Sequence, residues 1–344
     1  MYGTRFKELK NYLKKNNYPT YTYDQIRLAI FKHHTIDFGS ITNISKELRA
    51  SLKAEFGNIL SIDLEKYLYS PSAQKYLFKT EDKHPVETVL LCYKDRKEEM
   101  RTLCVSCQSG CPVGCKFCVT GDLGLLRSLT DSEILDQILF VLHKGENIRN
   151  IVFMGMGEPF LNWGNVAQAL NSLLDQKMFN IGARHISVST VGIVDKIYNF
   201  TKMFPQVNLA FSLHTPFQDQ REELIPIARK YNLVEVFRAL DNHLEQTNRK
   251  IFIEYVMLKN INDTVAHAKA VANLISPKNR KKWYLYHVNL IRYNTGSRQK
   301  YESSDEQTVK QFVKILKKSK IQVTVRPSLG GEIMGACGQL GKIK

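Results

Sequence analysis

Between about residue 100 and 327 the sequence keeps switching between two kinds of segment. Seven short apolar runs, TLCVSC (102–107), NIVFMG (150–155), HISVST (185–190), VNLAFSLH (207–214), IFIEYVML (251–258), LYHVNLI (285–291) and IQVTV (321–325), read as strands. Between them lie stretches with apolar residues at three- and four-residue spacing, such as DSEILDQILFVLHK, NVAQALNSLLDQ and DEQTVKQFVKILKK, which read as helices. Strands separated by helices pair in parallel, because a tight turn cannot join parallel neighbours. The chain is therefore expected to be α/β, with a parallel sheet, open or curled into a full or partial barrel, and helices outside. In such folds the chemistry collects where the strands end. Gly157, Glu158, Ser189, Thr190, Ser212, His214 and Asn294 stand at those ends.

The rest of the chain has other textures. Residues 1–75 are expected to form a small basic helical domain, since FKELKNYL, YDQIRLAIF and ITNISKELRASLKAEF are amphipathic. Residues 76–100 alternate and are rich in β-formers, which predicts a β extension joining that domain to the core at 101–327. The last segment, 328–344, holds five glycines and no periodicity, so a flexible loop is expected there. Lys and Arg outnumber Asp and Glu by 49 to 33, a net charge of +16. The excess is spread along the chain and points to a polyanion partner, nucleic acid first. No apolar run reaches the ~20 residues of a membrane span, and the N-terminus does not read as a secretory signal. A cytoplasmic protein with no membrane partner is expected, with its thiols kept reduced.

The reducing setting gives the seven cysteines their meaning. Five fall within 104–118, and Cys111, Cys115 and Cys118 have the spacing CxxxCxxC. An odd, clustered set is not a disulfide framework and suits metal or redox chemistry. Three thiolates from one short loop can grip one face of a soft metal centre. A structural zinc would need a fourth ligand, which Cys107 could supply. An iron–sulfur cluster is usually held by four thiolates, so three leave one iron open to a cofactor atom.

CxxxCxxC in this setting resembles the radical S-adenosylmethionine superfamily. A closer likeness spans nearly the whole chain: VETV (86–89), CVSCQSGCPVGCKFCVTGDLG (104–124), FMGMGEP (153–159), SVSTVGI (187–193), FSLH (211–214), VNLIRYN (288–294) and GACGQL (335–340) resemble the RlmN/Cfr family, enzymes that methylate an adenosine of 23S ribosomal RNA at the peptidyl-transferase centre. The resemblance implies a partial (β/α)6 barrel, a 4Fe-4S cluster on Cys111, Cys115 and Cys118, and S-adenosyl-L-methionine as cofactor. It implies that Gly157 and Glu158 receive the cofactor's amino group, and that Ser189, Ser212, Leu213, His214 and Asn294 contact its carboxylate, ribose and adenine. It also implies an unusual route. One S-adenosylmethionine methylates Cys337, a second yields a 5′-deoxyadenosyl radical, and the methyl carbon of Cys337, once stripped of a hydrogen, joins the base. Glu87 would remove the proton from the adenine carbon, and Cys104 would release the product by forming a Cys104–Cys337 disulfide. Cys92 and Cys107 match no catalytic position.

The family divides into carbon-8 methylation, which blocks several classes of ribosomal antibiotic (Cfr), and housekeeping carbon-2 methylation (RlmN). Arg292 in VNLIRYN, YHVNL before it and PQVNLAFSLH resemble the carbon-8 branch, whereas Pro159 resembles the carbon-2 branch. The favoured expectation is a divergent carbon-8 enzyme, with the carbon-2 reaction on the same adenosine as its alternative. A basic iron–sulfur or zinc protein that binds RNA without catalysis is a further alternative, as is a radical enzyme acting on a small molecule, which the basic surface disfavours. Expected partners are 23S rRNA, tRNA as well if the enzyme is RlmN-like, and a cellular electron donor; the chain is expected to be a monomer. Lys278, Arg280, Lys281, Lys282 and the lysines of 314–320 are candidate phosphate contacts, with binding that weakens steeply in salt.

Overall fold

The structure is a computed structural model that describes residues 4–94, 99–294 and 301–341. Helices α1 (Thr4–Lys15), α2 (Thr20–Phe31) and α3 (Lys46–Phe56) come first. Leu9, Leu13, Ile26, Ile30, Leu48 and Leu52 are buried, each pair separated by one helical turn. The Ser45 hydroxyl caps α3 by accepting the Leu48 N–H at 3.1 Å. These helices lean on the core: Asp136 Oδ2 accepts both the N–H and the hydroxyl of Ser61 at 2.7 Å, and the Phe31 ring meets Phe179 edge-on.

The helical part ends sooner than expected. Strand β1 (Ile62–Ser70) already occupies the last stretch of the segment read as helical. It is an edge strand with Leu64, Tyr67 and Tyr69 exposed, so it lacks the apolar alternation that reveals a strand in a sequence. With β2 (Ala73–Thr80), β3 (Pro85–Lys94) and β4 (Glu99–Cys104) it makes an antiparallel meander.

From β4 onward the sheet is parallel. A two-stranded hairpin of β5 (Gln108–Gly110) and β6 (Leu125–Ser128) interrupts the chain, with helix α4 (Val119–Asp122) inside its loop. Then follow α5 (Asp131–His143), β7 (Asn150–Phe153), α6 (Trp163–Leu174), β8 (Ile186–Thr190), α7 (Val194–Met203) and β9 (Asn208–Ser212). Helices α8 (Gln218–Leu224) and α9 (Leu233–Thr247) lead to β10 (Ile251–Met257), α10 (Val265–Ile275), β11 (Tyr286–Arg292), α11 (Glu306–Lys318) and β12 (Gln322–Arg326). The ten-stranded sheet runs β1-β2-β3-β4-β7-β8-β9-β10-β11-β12, and among the described residues β12 does not pair back onto β1. It is a partial barrel, as expected. Ile151, Val188, Leu209, Ile253, Val288 and Leu290 are fully buried, each contributing at most about 2–3 kcal/mol by removal of apolar area from water.

Parallel strands end on one side, and that side carries the cleft. The glycine-rich tail has only one short 3-10 turn, Gly331–Ile333, yet its described part is docked rather than loose. Ala336 and Leu340 are buried, and Leu340 packs with Ala73, Val89, Cys104 and Met156. No helix among the described residues is long and apolar enough to cross a membrane.

Candidate active site

The hairpin β5–β6 pins the cysteine loop at both ends, and the Cys111 N–H donates to the Gly124 carbonyl across its base at 2.8 Å. The loop returns Cys111, Cys115 and Cys118 to the mouth of the barrel, where all three line a cleft of about 230 Å³. Gly157, Glu158, Ser189, Ser212, His214 and Asn294 line the same cleft from successive strand ends. Cys104, at the end of β4, and Cys337, on the tail, complete it. Two expected residues stand apart. Leu213 is wholly buried and its N–H donates to the Glu254 carbonyl at 3.0 Å, so only its backbone neighbours reach the cleft. Glu87 lies behind the docked tail. Cys92 and Cys107 are also outside the cleft lining.

A larger hollow of about 710 Å³ opens between outer helices, bordered by Tyr198, Val234 and Leu274. No expected catalytic, cofactor or cluster residue borders it, although Arg280, a candidate phosphate contact, does, so volume alone does not mark the chemistry here.

Burial pushes the Cys111 thiol up to about 12 and raises those of Cys115 and Cys118, so without metal these cysteines are protonated. Metal binding must therefore release protons. Among the described residues no three His, Cys, Asp or Glu side chains converge on a single point as one zinc ion demands. Three thiols on one loop would hold three irons of a cluster and leave a fourth open. A second feature favours an anionic centre. The Arg221 guanidinium, fully buried, donates to the carbonyls of Leu213 (3.2 Å), Val191 (2.7 Å) and Ser212 (3.1 Å), while its Nη1 is buried with no partner among the described residues. Its charge favours the Cys115 thiolate. The donor set and this buried cation fit an iron–sulfur cluster held by three thiolates.

The cofactor side is equally built. Gly157 has φ +102, and a Cβ there would come within 2.6 Å of the Gln108 Cβ, so only glycine lets the chain turn this close. The turn delivers Glu158, whose N–H donates to Gln108 Oε1 at 2.9 Å. The Glu158 carboxylate accepts the N–H groups of Phe160 (3.1 Å) and Val191 (2.9 Å), and burial raises it to about 7. Held this way, it has lone pairs left for an ammonium. Ser189 and Ser212 hydroxyls lie 3.3 Å apart on neighbouring strands. His214 has φ +56, and its Nδ1 accepts the Val256 N–H at 3.0 Å, which leaves Nε2 as the N–H donor. Burial drives the ring down to about 3, so it is neutral, and it meets Phe117 of the cysteine loop edge-on.

Cys104 is raised mainly by burial and then by the neighbouring Cys337; Cys337 is raised by burial and by Glu254, although solvent reaches it through the cleft. Asn294 Nδ2 donates to the Cys337 carbonyl at 3.2 Å. Sequence reasoning missed three charged neighbours. Glu254, buried on β10, accepts from Asn289 at 2.8 Å and faces the cleft; Arg326, at the end of β12, faces it as well; Arg221 underlies it. Glu254 was visible as an acidic residue inside an apolar strand run. Arg221, in the charged stretch QDQREEL, carried no such signal.

Residues 105–271 match the radical SAM superfamily, the class to which the cleft's three cysteines correspond. The chain is 43% identical to "Ribosomal RNA large subunit methyltransferase Cfr" of Shouchella clausii over 98% of its length and 96% of that protein's, and 42% identical to the protein of the same name from Clostridium botulinum strain Okra over 98% and 97%. A solved radical SAM methyltransferase from Sphaerobacter thermophilus superposes with a TM-score of 0.90 at 35% identity, covering 97% of this chain and 96% of that one. The chain belongs to the Cfr/RlmN family of radical SAM methyltransferases acting on large-subunit ribosomal RNA. Enzymes of this superfamily use a 4Fe-4S cluster and S-adenosylmethionine.

Proposed function

We propose that the protein methylates carbon 8 of an adenosine in 23S rRNA at the peptidyl-transferase centre, with Cys337 as the methyl carrier and Cys104 as the resolving thiol. The observation that carries this is the meeting of a thiol from the glycine-rich tail, a strand-end thiol and the three-cysteine loop in one cleft. The cluster and S-adenosylmethionine supply the methyl group and the one-electron chemistry. The protein's own part is placement. Glu158 receives an ammonium, Ser189, Ser212 and the neutral His214 offer hydrogen bonds to the rest of the cofactor, and Asn294 holds the backbone of Cys337. Once base and enzyme are joined through Cys337, the Cys104 thiolate attacks the Cys337 sulfur. An S–S bond forms, the bond from Cys337 sulfur to the transferred carbon breaks, and its electron pair passes to that carbon, which takes up a proton, the equivalent of the one Cys104 gives up, to become the methyl group. Of the Glu87 carboxylate, Oε2 is engaged while Oε1 is buried with no partner among the described residues, so Oε1 is the oxygen for taking the adenine proton.

The carbon-8 choice rests on Arg292 in VNLIRYN and on the name Cfr carried by the relatives, and it predicts ribosomal antibiotic resistance. Pro159 after Glu158 favours the carbon-2 reading. Anaerobically reconstituted enzyme, incubated with reductant, S-adenosylmethionine and 23S rRNA, should leave 8-methyladenosine in a nuclease digest read by mass spectrometry. Finding 2-methyladenosine alone moves the protein to the other branch; finding neither, with the cluster complete, rejects both.

A further inference from the structure

Lys75 is buried in mid-strand, only 2% exposed, on the face of the meander that the tail covers. In the β2–β3 register Leu77 opposes Glu87 and Lys75 opposes Val89, which makes Lys75 and Glu87 diagonal neighbours on one face. Lys75 Nζ lies 2.8 Å from Glu87 Oε2 and donates to the Met334 carbonyl at 2.9 Å. The same Glu87 Oε2 accepts the Gly341 N–H at 3.0 Å. One buried ion pair thus grips the tail at two points, and Cys337 lies midway between them.

We propose that the Lys75–Glu87 pair is a staple that fixes both ends of the loop 334–341 and leaves its apex, Cys337, free to turn between its partners. This makes Lys75 a positioning residue for the sulfur chemistry, and it rests on the reading of Cys337 as methyl carrier. The apex is held more lightly: the Cys337 side chain is exposed to the cleft, and its backbone carbonyl takes a long hydrogen bond from Asn294 at 3.2 Å. The flank is held more firmly: the Val119 N–H donates to the Gly338 carbonyl at 2.9 Å and the Thr120 hydroxyl to the Leu340 carbonyl at 2.6 Å. An unpaired ion in this setting is costly, so tail and pair hold each other in place.

The test is the rate at which iodoacetamide alkylates each cysteine of the cluster-loaded enzyme, read peptide by peptide by mass spectrometry. Lys75→Met should speed alkylation of Cys337 at least tenfold while the deeply buried Cys107 stays within twofold of wild type. The double variant Lys75→Met/Glu87→Gln, which removes the stranded charge and keeps an acceptor for Gly341 but not the donor to Met334, should recover only part of the protection. A change at Cys337 below twofold in Lys75→Met, or a parallel rise at Cys107 that signals general loosening, overturns the proposal. Should Lys75→Met fail to fold, hydrogen exchange on the wild type decides: a Gly341 amide protected at least a hundredfold supports the staple, and free exchange there rejects it. Neither readout depends on rRNA methylation, so a failed digest leaves this result intact.

Discussion

The Glu158 carboxylate is moored to the backbone N–H of Val191 at 2.9 Å, and burial lifts its titration to about 7. Below pH 7 it is therefore protonated in the cofactor-free protein and cannot pair with an ammonium. Affinity for S-adenosylmethionine should rise as pH is raised from 6 to 8, by up to about tenfold. Calorimetry at both pH values checks this. Glu158→Gln should bind weakly at pH 8 and lose the dependence; an equal affinity of wild type at both values contradicts the assignment.

Gly157→Ala should cost about 1–3 kcal/mol, because the side chain meets Gln108 and the backbone must hold φ +102. Urea denaturation of the metal-free protein measures it. Cofactor binding should weaken as well, since the displaced turn carries Glu158.

Arg221→Met strips the carbonyls of Leu213, Val191 and Ser212 of a shared donor. We expect about 3 kcal/mol or more of lost stability. Iron per polypeptide after reconstitution should fall too, because the cation beside Cys115 is gone. Full iron content with unchanged stability would show that the buried guanidinium supports neither.

Cys104→Ala leaves Cys337 able to take up and pass on its methyl carbon but removes the thiol that releases it. A labelled 23S rRNA fragment should stay covalently attached to this variant on a denaturing gel, whereas Cys337→Ala should form no adduct and no product. Turnover by Cys104→Ala at the wild-type rate would exclude the resolving role.

Much of this was legible beforehand for a physical reason. The core strands each bury a face, so Ile151, Val188, Leu209 and Ile253 fall in short apolar or alternating runs, and the ends of these runs fix where Glu158, Ser189, Ser212 and His214 lie. What escaped notice depends on tertiary context. Strand β1 is exposed and looks like loop or helix. Helix α8 reads as a solvated charged segment, although Arg221 within it is wholly buried. Lys75 alternates with neighbours in a strand and only the docked tail explains it. Glu87 was expected as the base for the adenine carbon; its connections to Lys75 and Gly341 follow from a tail read as flexible loop and found docked.

The contacts between the meander and the tail span 259 residues from Lys75 to Met334 and 254 from Glu87 to Gly341. Closure of such long loops is slow and waits until the tail has been made. Every strand of the barrel and the whole cysteine loop precede it in the chain. Assembly therefore has a built-in order, in which the metal-binding loop can be filled while the barrel mouth is still uncovered, and the reactive sulfur arrives after both.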